Sequence, residues 1–194
     1  MAGTRQFNEE EALDSAMLLF WRRGYGATSM QDLAEATGVL RGSLYNAYGD
    51  KQSIFLLAFA RYRRNFMAQV RDTLEQPTVA EALRAYLDLS IRAMTLPEEE
   101  RSGTRGCMST KIAVDETARD EAIRTALRGL LDELAGLLEA RFAAAPEEVA
   151  LPPAAAARLL VTATRGMVVV ERVYQDEGRL RETAESLATL LLPK

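Results

Sequence analysis

Residues 28–48 have the sequence TSMQDLAEATGVLRGSLYNAY, which is the most informative stretch of the chain for its fold. Ser29 followed three residues later by Asp32 is a capping-box pattern, which predicts the start of a short helix. Gly38 permits the positive φ of a tight turn, and a second short helix follows it. Two short helices joined by a glycine turn predict a helix-turn-helix over about residues 29–48.

The second helix of this motif has an apolar side and a polar side. Val39 and Leu44 return to the core, so polar side chains face outward on the early turns, where a recognition helix meets DNA. Arg41 is suited to guanine or phosphate and Asn46 to a base edge, while Gly42 allows a close approach. The hydroxyl and ammonium groups expected to contact phosphates belong to Thr28, Ser29, Ser43, Tyr45 and Lys51. A helical hairpin that serves only as scaffold is the alternative.

The rest of the chain has helical periodicity and no convincing strand. We therefore expect an all-α fold of about nine helices, with a three-helix N-terminal head and a helical body. The expected helices cover about 8–23, 30–37, 40–47, 51–74, 78–93, a short stretch after 106, 118–144, 154–174 and 180–192.

The predicted helix over 154–174 is apolar nearly all round. Such a helix is buried, either in the centre of the core or between two subunits. We favour a homodimer formed through about residues 154–192. Arg165, Glu171 and Arg172 interrupt the apolar sequence and are expected at its edges.

Charge is unevenly distributed along the chain. The net charge is −4, which is unfavourable for a protein that binds nucleic acid. From Arg41 to Arg71, however, six basic residues face only one acid, Asp50, a local charge of +5. This cluster is either a DNA-binding surface or an ordinary solvated helix face.

Composition argues against several other functions. The chain has no histidine and one cysteine, which excludes serine–histidine and cysteine–histidine catalysis, histidine metal sites and an intrachain disulfide. We expect no cofactor, no metal and no enzyme activity, with a carboxylate-dependent enzyme kept as an alternative. No signal peptide or run of about 18 apolar residues is visible, so we expect a cytoplasmic protein without a membrane span.

The stretch from about Phe7 to Phe59 closely resembles the tetracycline-repressor-like (TetR/AcrR) family of regulators. The residues that carry the resemblance are Thr28-Ser29, Asp32-Leu33-Ala34, Gly38-Val39, Gly42-Ser43-Leu44-Tyr45, Tyr48 and Lys51. Leu40 and Ala47 depart from it, standing where a small polar residue and a histidine are common. The resemblance implies a DNA-binding domain over 1–50 and a ligand-binding, dimerising domain over 51–194. It also implies a homodimer whose last two helices form a four-helix bundle, and a repressor released from a palindromic double-stranded operator by a small molecule.

The segment from Arg105 to Lys111 is the most distinctive part of the body. Its Gly106-Cys107 step resembles a subgroup of the family in which some members respond to electrophiles or oxidants. Cys107 is predicted near a helix N-terminus with Arg105 and Lys111 close by, and such surroundings favour a reactive thiolate. The alternative is a small buried apolar residue without chemistry.

A cavity beneath the aromatic side of the 51–74 helix is the other candidate effector site, because methionine and aromatic side chains make adaptable walls. Arg165 is expected to bind an anionic effector or to pair with an acid across the dimer. The other residues expected there are Phe59, Tyr62, Phe66 and Tyr86, with Met94, Met108, Met167 and Tyr174. Plain core packing of the aromatic side is the alternative. For the whole chain, a helical adaptor that does not bind DNA is the alternative to a repressor.

Overall fold

The computed structural model describes residues 7–95 and 107–193. Within these ranges it contains nine α-helices, no strand, and two short 3-10 turns at Glu116–Arg119 and Pro146–Glu148. The all-α prediction is confirmed. The helices are α1 (Glu9–Arg23), α2 (Met30–Thr37), α3 (Arg41–Tyr48), α4 (Lys51–Leu74), α5 (Val79–Thr95), α6 (Met108–Ala113), α7 (Glu121–Ala143), α8 (Pro153–Tyr174) and α9 (Glu177–Leu191).

Local sequence signals set the ends of the first three helices. Ser29 accepts a hydrogen bond from Asp32 N, and the Asp32 carboxylate accepts one from Ser29 N, which completes the predicted capping box. Gly24 and Gly38 have φ values of 82° and 66°, which favour glycine because a Cβ is strained there. The chain can therefore end α1 and turn sharply between α2 and α3.

Helix α4 is the longest helix and contacts both parts of the molecule. Its 24 residues follow Asp50, whose side chain accepts a hydrogen bond from Ser53 N. One face packs against α1 and the other against α5 and α7. Phe55 lies on this helix with its ring centre 5.1 Å from that of Phe20 on α1, in an edge-to-face arrangement. The aromatic side of α4 is therefore shared core between the head and the body.

Three arginines of α4 are ion-paired within the chain. Arg61 Nη2 donates to Asp14 of α1 at 2.9 Å, while Arg63 and Arg71 donate to Glu133 of α7 at 2.6 and 2.7 Å. Three of the six basic residues of the Arg41–Arg71 cluster therefore have acidic partners within the chain. These side chains hold α4 to its neighbours, and their acidic partners lie too far away in sequence to have been paired from the pattern.

Helix α8 is buried on one side and exposed on the other. Its inner side packs against α7, α5 and α9, whereas Val173 is 74% exposed and Tyr174 is 56% exposed. It is the one helix in the described ranges that is long and apolar enough to cross a membrane. Other large apolar side chains exposed on α8 are Leu159, Val169 and Val170.

Three local expectations are corrected. Glu171 is not at an edge, because only 3% of it is exposed. The three- and four-residue spacing from Ile123 through Leu134 predicts Leu137 as the next inward residue of α7, but Leu138 is the buried one. Helix α9 begins at Glu177 rather than near Leu180, because Asp176 accepts a hydrogen bond from Arg179 N and caps it early.

Truncating the shared aromatic core is expected to destabilise the whole chain. Phe55→Ala should lower the free energy of unfolding by about 3–5 kcal/mol, because Phe55 is buried and its loss leaves a cavity. The matched control is Leu57→Ala on the exposed side of the same helix, for which a change within about 0.5 kcal/mol is expected. Urea denaturation at one protein concentration measures both, and equal losses would contradict this packing.

Candidate nucleic-acid interface and effector cavity

Helix α3 presents one polar face to solvent and buries the other. Leu44 and Tyr48 are buried, and Ser43 is half-buried. The Arg41 guanidinium lies 3.5 Å from the Tyr45 hydroxyl and 5.5 Å from the centre of its ring, so these i, i+4 side chains lie together. The residues exposed on this face are Arg41, Gly42, Tyr45 and Asn46.

Two of the predicted phosphate contacts, Thr28 and Lys51, are engaged inside the protein. Thr28 is 2% exposed, and its hydroxyl donates to the Gly24 carbonyl at 2.7 Å. Lys51 Nζ donates to the carbonyls of Tyr25 and Thr28 at 3.0 and 2.8 Å, and lies 4.2 Å from the Tyr25 ring centre. Both side chains satisfy carbonyls of the loop before α2, so they position the motif instead of facing DNA.

The start of each short helix has a different cap. Ser29 is exposed, and its hydroxyl donates to Asp32 besides accepting from Asp32 N. Leu40 stands at the N-cap of α3 without a side-chain hydrogen bond and is 79% exposed. The departure at Leu40 therefore leaves the first amide groups of α3 without a side-chain acceptor, at the end of the helix that faces outward.

A cavity of about 210 Å³ lies between α1, α4 and α5 and extends to Cys107 and α8. We call it the effector cavity. Five of the residues singled out in the sequence line it: Tyr62, Phe66, Met94, Cys107 and Arg165. The other lining residues are Met17, Trp21, Asn65, Gln69, Leu89, Ser90 and Ala93.

Several predicted wall residues lie elsewhere. Phe59, Tyr86, Met108 and Met167 are buried in the core and are not on the wall of this cavity. Tyr174 is exposed at the end of α8. Met17 and Trp21 were not anticipated, although their four-residue spacing places them on one side of α1. The effector cavity is thus walled partly by α1 of the N-terminal head.

Cys107 is buried in a polar cluster at the end of this cavity. Its Sγ lies 3.2 Å from the Tyr62 hydroxyl and 3.0 Å from the Ser109 hydroxyl, and accepts from Arg165 Nη1 at 3.2 Å. Burial raises the pKa of the Cys107 thiol, but the charge of Arg165 and hydrogen bonds from Ser109 and Tyr62 outweigh it and lower the pKa to about 6. The cluster therefore stabilises a thiolate at neutral pH.

Lys111 does not lie beside the thiol as predicted. Its Nζ donates to the carbonyls of Trp21 and Arg22 at 2.7 Å each, where it complements the C-terminal end of α1. It is therefore a link between α6 and the head. Arg105 and Gly106, the other predicted neighbours of Cys107, lie outside the described residues.

Arg165 carries the positive charge of the cluster. Nη1 donates to both Cys107 and Ser109 at 3.2 Å, while Nε is buried without a hydrogen-bond acceptor. Burial lowers the pKa of the guanidinium, but the nearby Cys107 raises it above its ordinary value. Arg165 also borders a second, apolar cavity of about 370 Å³ beside Leu131 and Val169.

Comparison with known proteins gives a consistent result for the head. Residues 12–58 match the family model described as bacterial regulatory proteins, tetR family. The HTH-type transcriptional repressor AcnR of Corynebacterium efficiens is 30% identical over 63% of this chain and 68% of its own length. The uncharacterized HTH-type transcriptional regulator YezE of Bacillus subtilis is 27% identical over 98% of this chain and all of its own length.

A solved structure extends this similarity to the whole fold. It is a cysteine mutant of the TetR family transcriptional regulator CifR complexed with 26-base-pair double-strand operator DNA. The two chains are 29% identical and superpose with a TM-score of 0.82, over 96% of this chain and 98% of that one. The body as well as the head therefore has the architecture of that DNA-bound regulator.

The low pKa of Cys107 is expected to depend on Arg165. Arg165→Met should raise the thiol pKa from about 6 by about 1 to 3, because burial then opposes the thiolate without a compensating cation. Arg128→Met removes an exposed cation of α7 instead and should leave the pKa unchanged. A pH titration of thiolate ultraviolet absorbance, corrected with Cys107→Ser, measures it, and an unchanged pKa in Arg165→Met would refute this assignment.

Proposed function

The chain belongs to the tetR family of bacterial regulatory proteins and is a DNA-binding transcriptional repressor, and we propose that it acts as a homodimer on a palindromic operator. Regulators of this family are not enzymes. The observation that carries the proposal is the exposed polar face of α3, which nothing else in the described chain covers. Residues 1–50 form the DNA-binding domain, and residues 51–194 form the ligand-binding and dimerising domain.

The proposed DNA contacts follow from side-chain chemistry. Arg41 donates to guanine or to a phosphate, and Asn46 contacts a base edge. The hydroxyls of Ser43 and Tyr45 contact phosphates, and Gly42 lets the DNA backbone approach, because a Cβ there would meet no protein atom within 4 Å. Ser29 contributes at the exposed N-terminus of α2, where helix amides favour phosphate.

The proposed dimer covers the exposed apolar side of α8. Val169, Val170 and Val173 face solvent in the single chain, and burying such area is favourable by about 25 cal/mol per Å². Pairing α8 and α9, about residues 154–192, with the same helices of a second subunit gives a four-helix interface. The two α3 helices then enter successive major grooves about 34–36 Å apart, which requires a palindrome. We place this protein in the cytoplasm, where its DNA lies.

The proposed effector enters the cavity between the head and the body. Met17 and Trp21 move with the head, whereas Leu89 and Met94 belong to α5. A ligand that fits only one relative position of these helices shifts the protein toward that position and changes the spacing of the heads. Release of DNA requires that the ligand bind the two positions with different affinity.

An electrophile is a second candidate effector, favoured by the Cys107 thiolate. The thiolate attacks the electron-poor carbon of an alkene conjugated to a carbonyl, an S–C bond forms, and the resulting enolate takes a proton from water. The adduct is neutral and bulky, so Arg165 loses the charge that faces it in a buried cluster. The same cavity is then filled and electrostatically altered.

Removing Arg41 is expected to weaken operator binding without affecting the dimer. Arg41→Ala should lower affinity for a palindrome from the protein's own upstream region about 10- to 100-fold, the cost of one good base contact. The matched control is Arg128→Ala on α7, which should bind as the original protein does. Fluorescence anisotropy at several salt concentrations measures affinity, and sedimentation measures the dimer. Affinity that does not depend on salt would instead favour a helical adaptor.

Alkylation of Cys107 is expected to release the operator. Treatment with N-ethylmaleimide should add one adduct mass and abolish the gel shift, because the adduct occupies the cavity and removes the thiolate. Cys107→Ser should take up no adduct and keep its gel shift under the same treatment. A fully alkylated protein that still binds the operator would contradict an electrophile effector.

A further inference from the structure

Arg165 is the one cationic side chain on the wall of the effector cavity, among the residues that the structure describes. Within the described ranges, no carboxylate lies within ion-pair distance of its guanidinium. By contrast, Arg61 and Arg63 of α4 each have an acidic partner. Among the described residues, the Cys107 sulfur is therefore the one anionic group that faces this cation.

The guanidinium has hydrogen-bonding capacity left over. Among the described residues, the acceptors of the guanidinium are the Cys107 sulfur and the Ser109 hydroxyl, both on Nη1, and Nε is buried without one. Leaving a charged donor buried and unsatisfied is unfavourable. An acceptor supplied from the cavity offsets that cost, and a carboxylate matches the planar donor set of arginine in both charge and geometry.

The rest of the cavity wall is apolar and aromatic. Trp21, Phe66, Leu89 and Met94 provide most of it, and the amide side chains Asn65 and Gln69 are on exposed positions of α4 at its rim. Pockets of this kind enclose an apolar group, while a few polar atoms fix its orientation. The wall therefore suits a molecule with one anionic group and an apolar remainder.

We propose that the effector cavity binds a small amphipathic carboxylate, with its carboxylate on Arg165 and its apolar part between Trp21 and Phe66. The assignment names the ligand class for the release step proposed above, and its regulatory consequence rests on that function. Since Trp21 belongs to α1 and Lys111 holds the carbonyl end of the same helix, the ligand contacts the head directly.

The ligand and the Cys107 thiolate compete for Arg165. Both are anions, and the sulfur already accepts from Nη1 at 3.2 Å. A carboxylate that arrives while the sulfur is ionised meets a like charge across a short distance, whereas a neutral side chain at position 107 leaves the guanidinium to the ligand. Replacing the thiol by a hydroxyl should therefore strengthen carboxylate binding near pH 8.

The emission of Trp21 tests this assignment without DNA, because it is the only tryptophan of the chain and lines the cavity. The probes are octanoate and phenylacetate, with 1-octanol and 2-phenylethanol as their uncharged counterparts. We expect a saturable change in emission with the carboxylates and at least about 10-fold weaker binding of the alcohols. Equal affinity of acid and alcohol, or no saturable change with either acid, overturns the proposal.

Three variants locate the charge. Arg165→Met should lose carboxylate binding at least about 10-fold, Arg165→Lys should keep part of it, and the matched control Arg128→Met should keep all of it. Cys107→Ser should bind octanoate several-fold more tightly at pH 8. Circular dichroism verifies that each variant is folded, and the comparison of acid with alcohol on the unmodified protein needs no variant.

The two proposals can fail separately. The titrations contain no DNA, so a failure to bind carboxylates would not count against operator binding by α3. Conversely, a protein that binds octanoate through Arg165 but no palindrome retains the cavity assignment and loses its regulatory meaning. Retained octanoate affinity in a folded Arg165→Met protein contradicts the ligand site alone.

Discussion

The ion pair between Arg61 of α4 and Asp14 of α1 fixes the head to the helix on which the body is built. Helix α4 has 24 residues and is therefore about 36 Å long. The same helix is tied to α7 through Arg63, Arg71 and the shared carboxylate of Glu133. Arg61 and Arg63 lie near the middle of α4 and Arg71 lies near its C-terminal end, so the helix is bound to both α1 and α7. We propose that a change in the body reaches the recognition helix through α4.

The effector cavity lies between the head and the body. Its wall takes residues from α1, α4 and α5 and ends at the Cys107–Arg165 pair. A carboxylate ligand and an electrophile would act on the same guanidinium, the first by giving it a new anion and the second by removing the old one. The Cys107 thiol and the buried Arg165 cation are thus parts of one site, in which the sulfur has three polar partners.

The sequence was sufficient to predict those features that depend on neighbouring residues, such as helix caps and turns. The capping box at Ser29, the turn at Gly38 and the bounds of α4 depend on residues a few positions apart, so their patterns were sufficient. Contacts between distant segments were not predictable in this way. Lys51 donates to carbonyls of the loop before α2, and Glu133 pairs with two arginines of α4. Lys111 donates to a carbonyl of α1 that is about 90 residues away in the sequence. Five residues of the cavity wall were predicted, namely Tyr62, Phe66, Met94, Cys107 and Arg165. Met17 and Trp21 were not predicted, because their place on the wall depends on how α1 packs against the body.

The spacing of the two heads should depend on whether the cavity is filled. A distance between the heads, measured by pulsed electron–electron double resonance, tests this coupling without knowledge of the ligand. Spin labels at an Ala36→Cys position, exposed on α2, are introduced in a Cys107→Ser background, with and without Ala93→Phe, which fills the cavity from within. In the operator complex the label distance should be single and narrow. We expect that Ala93→Phe shifts the label distance in the free dimer away from the distance in the operator complex. An unchanged distance distribution in a folded Ala93→Phe dimer would contradict it.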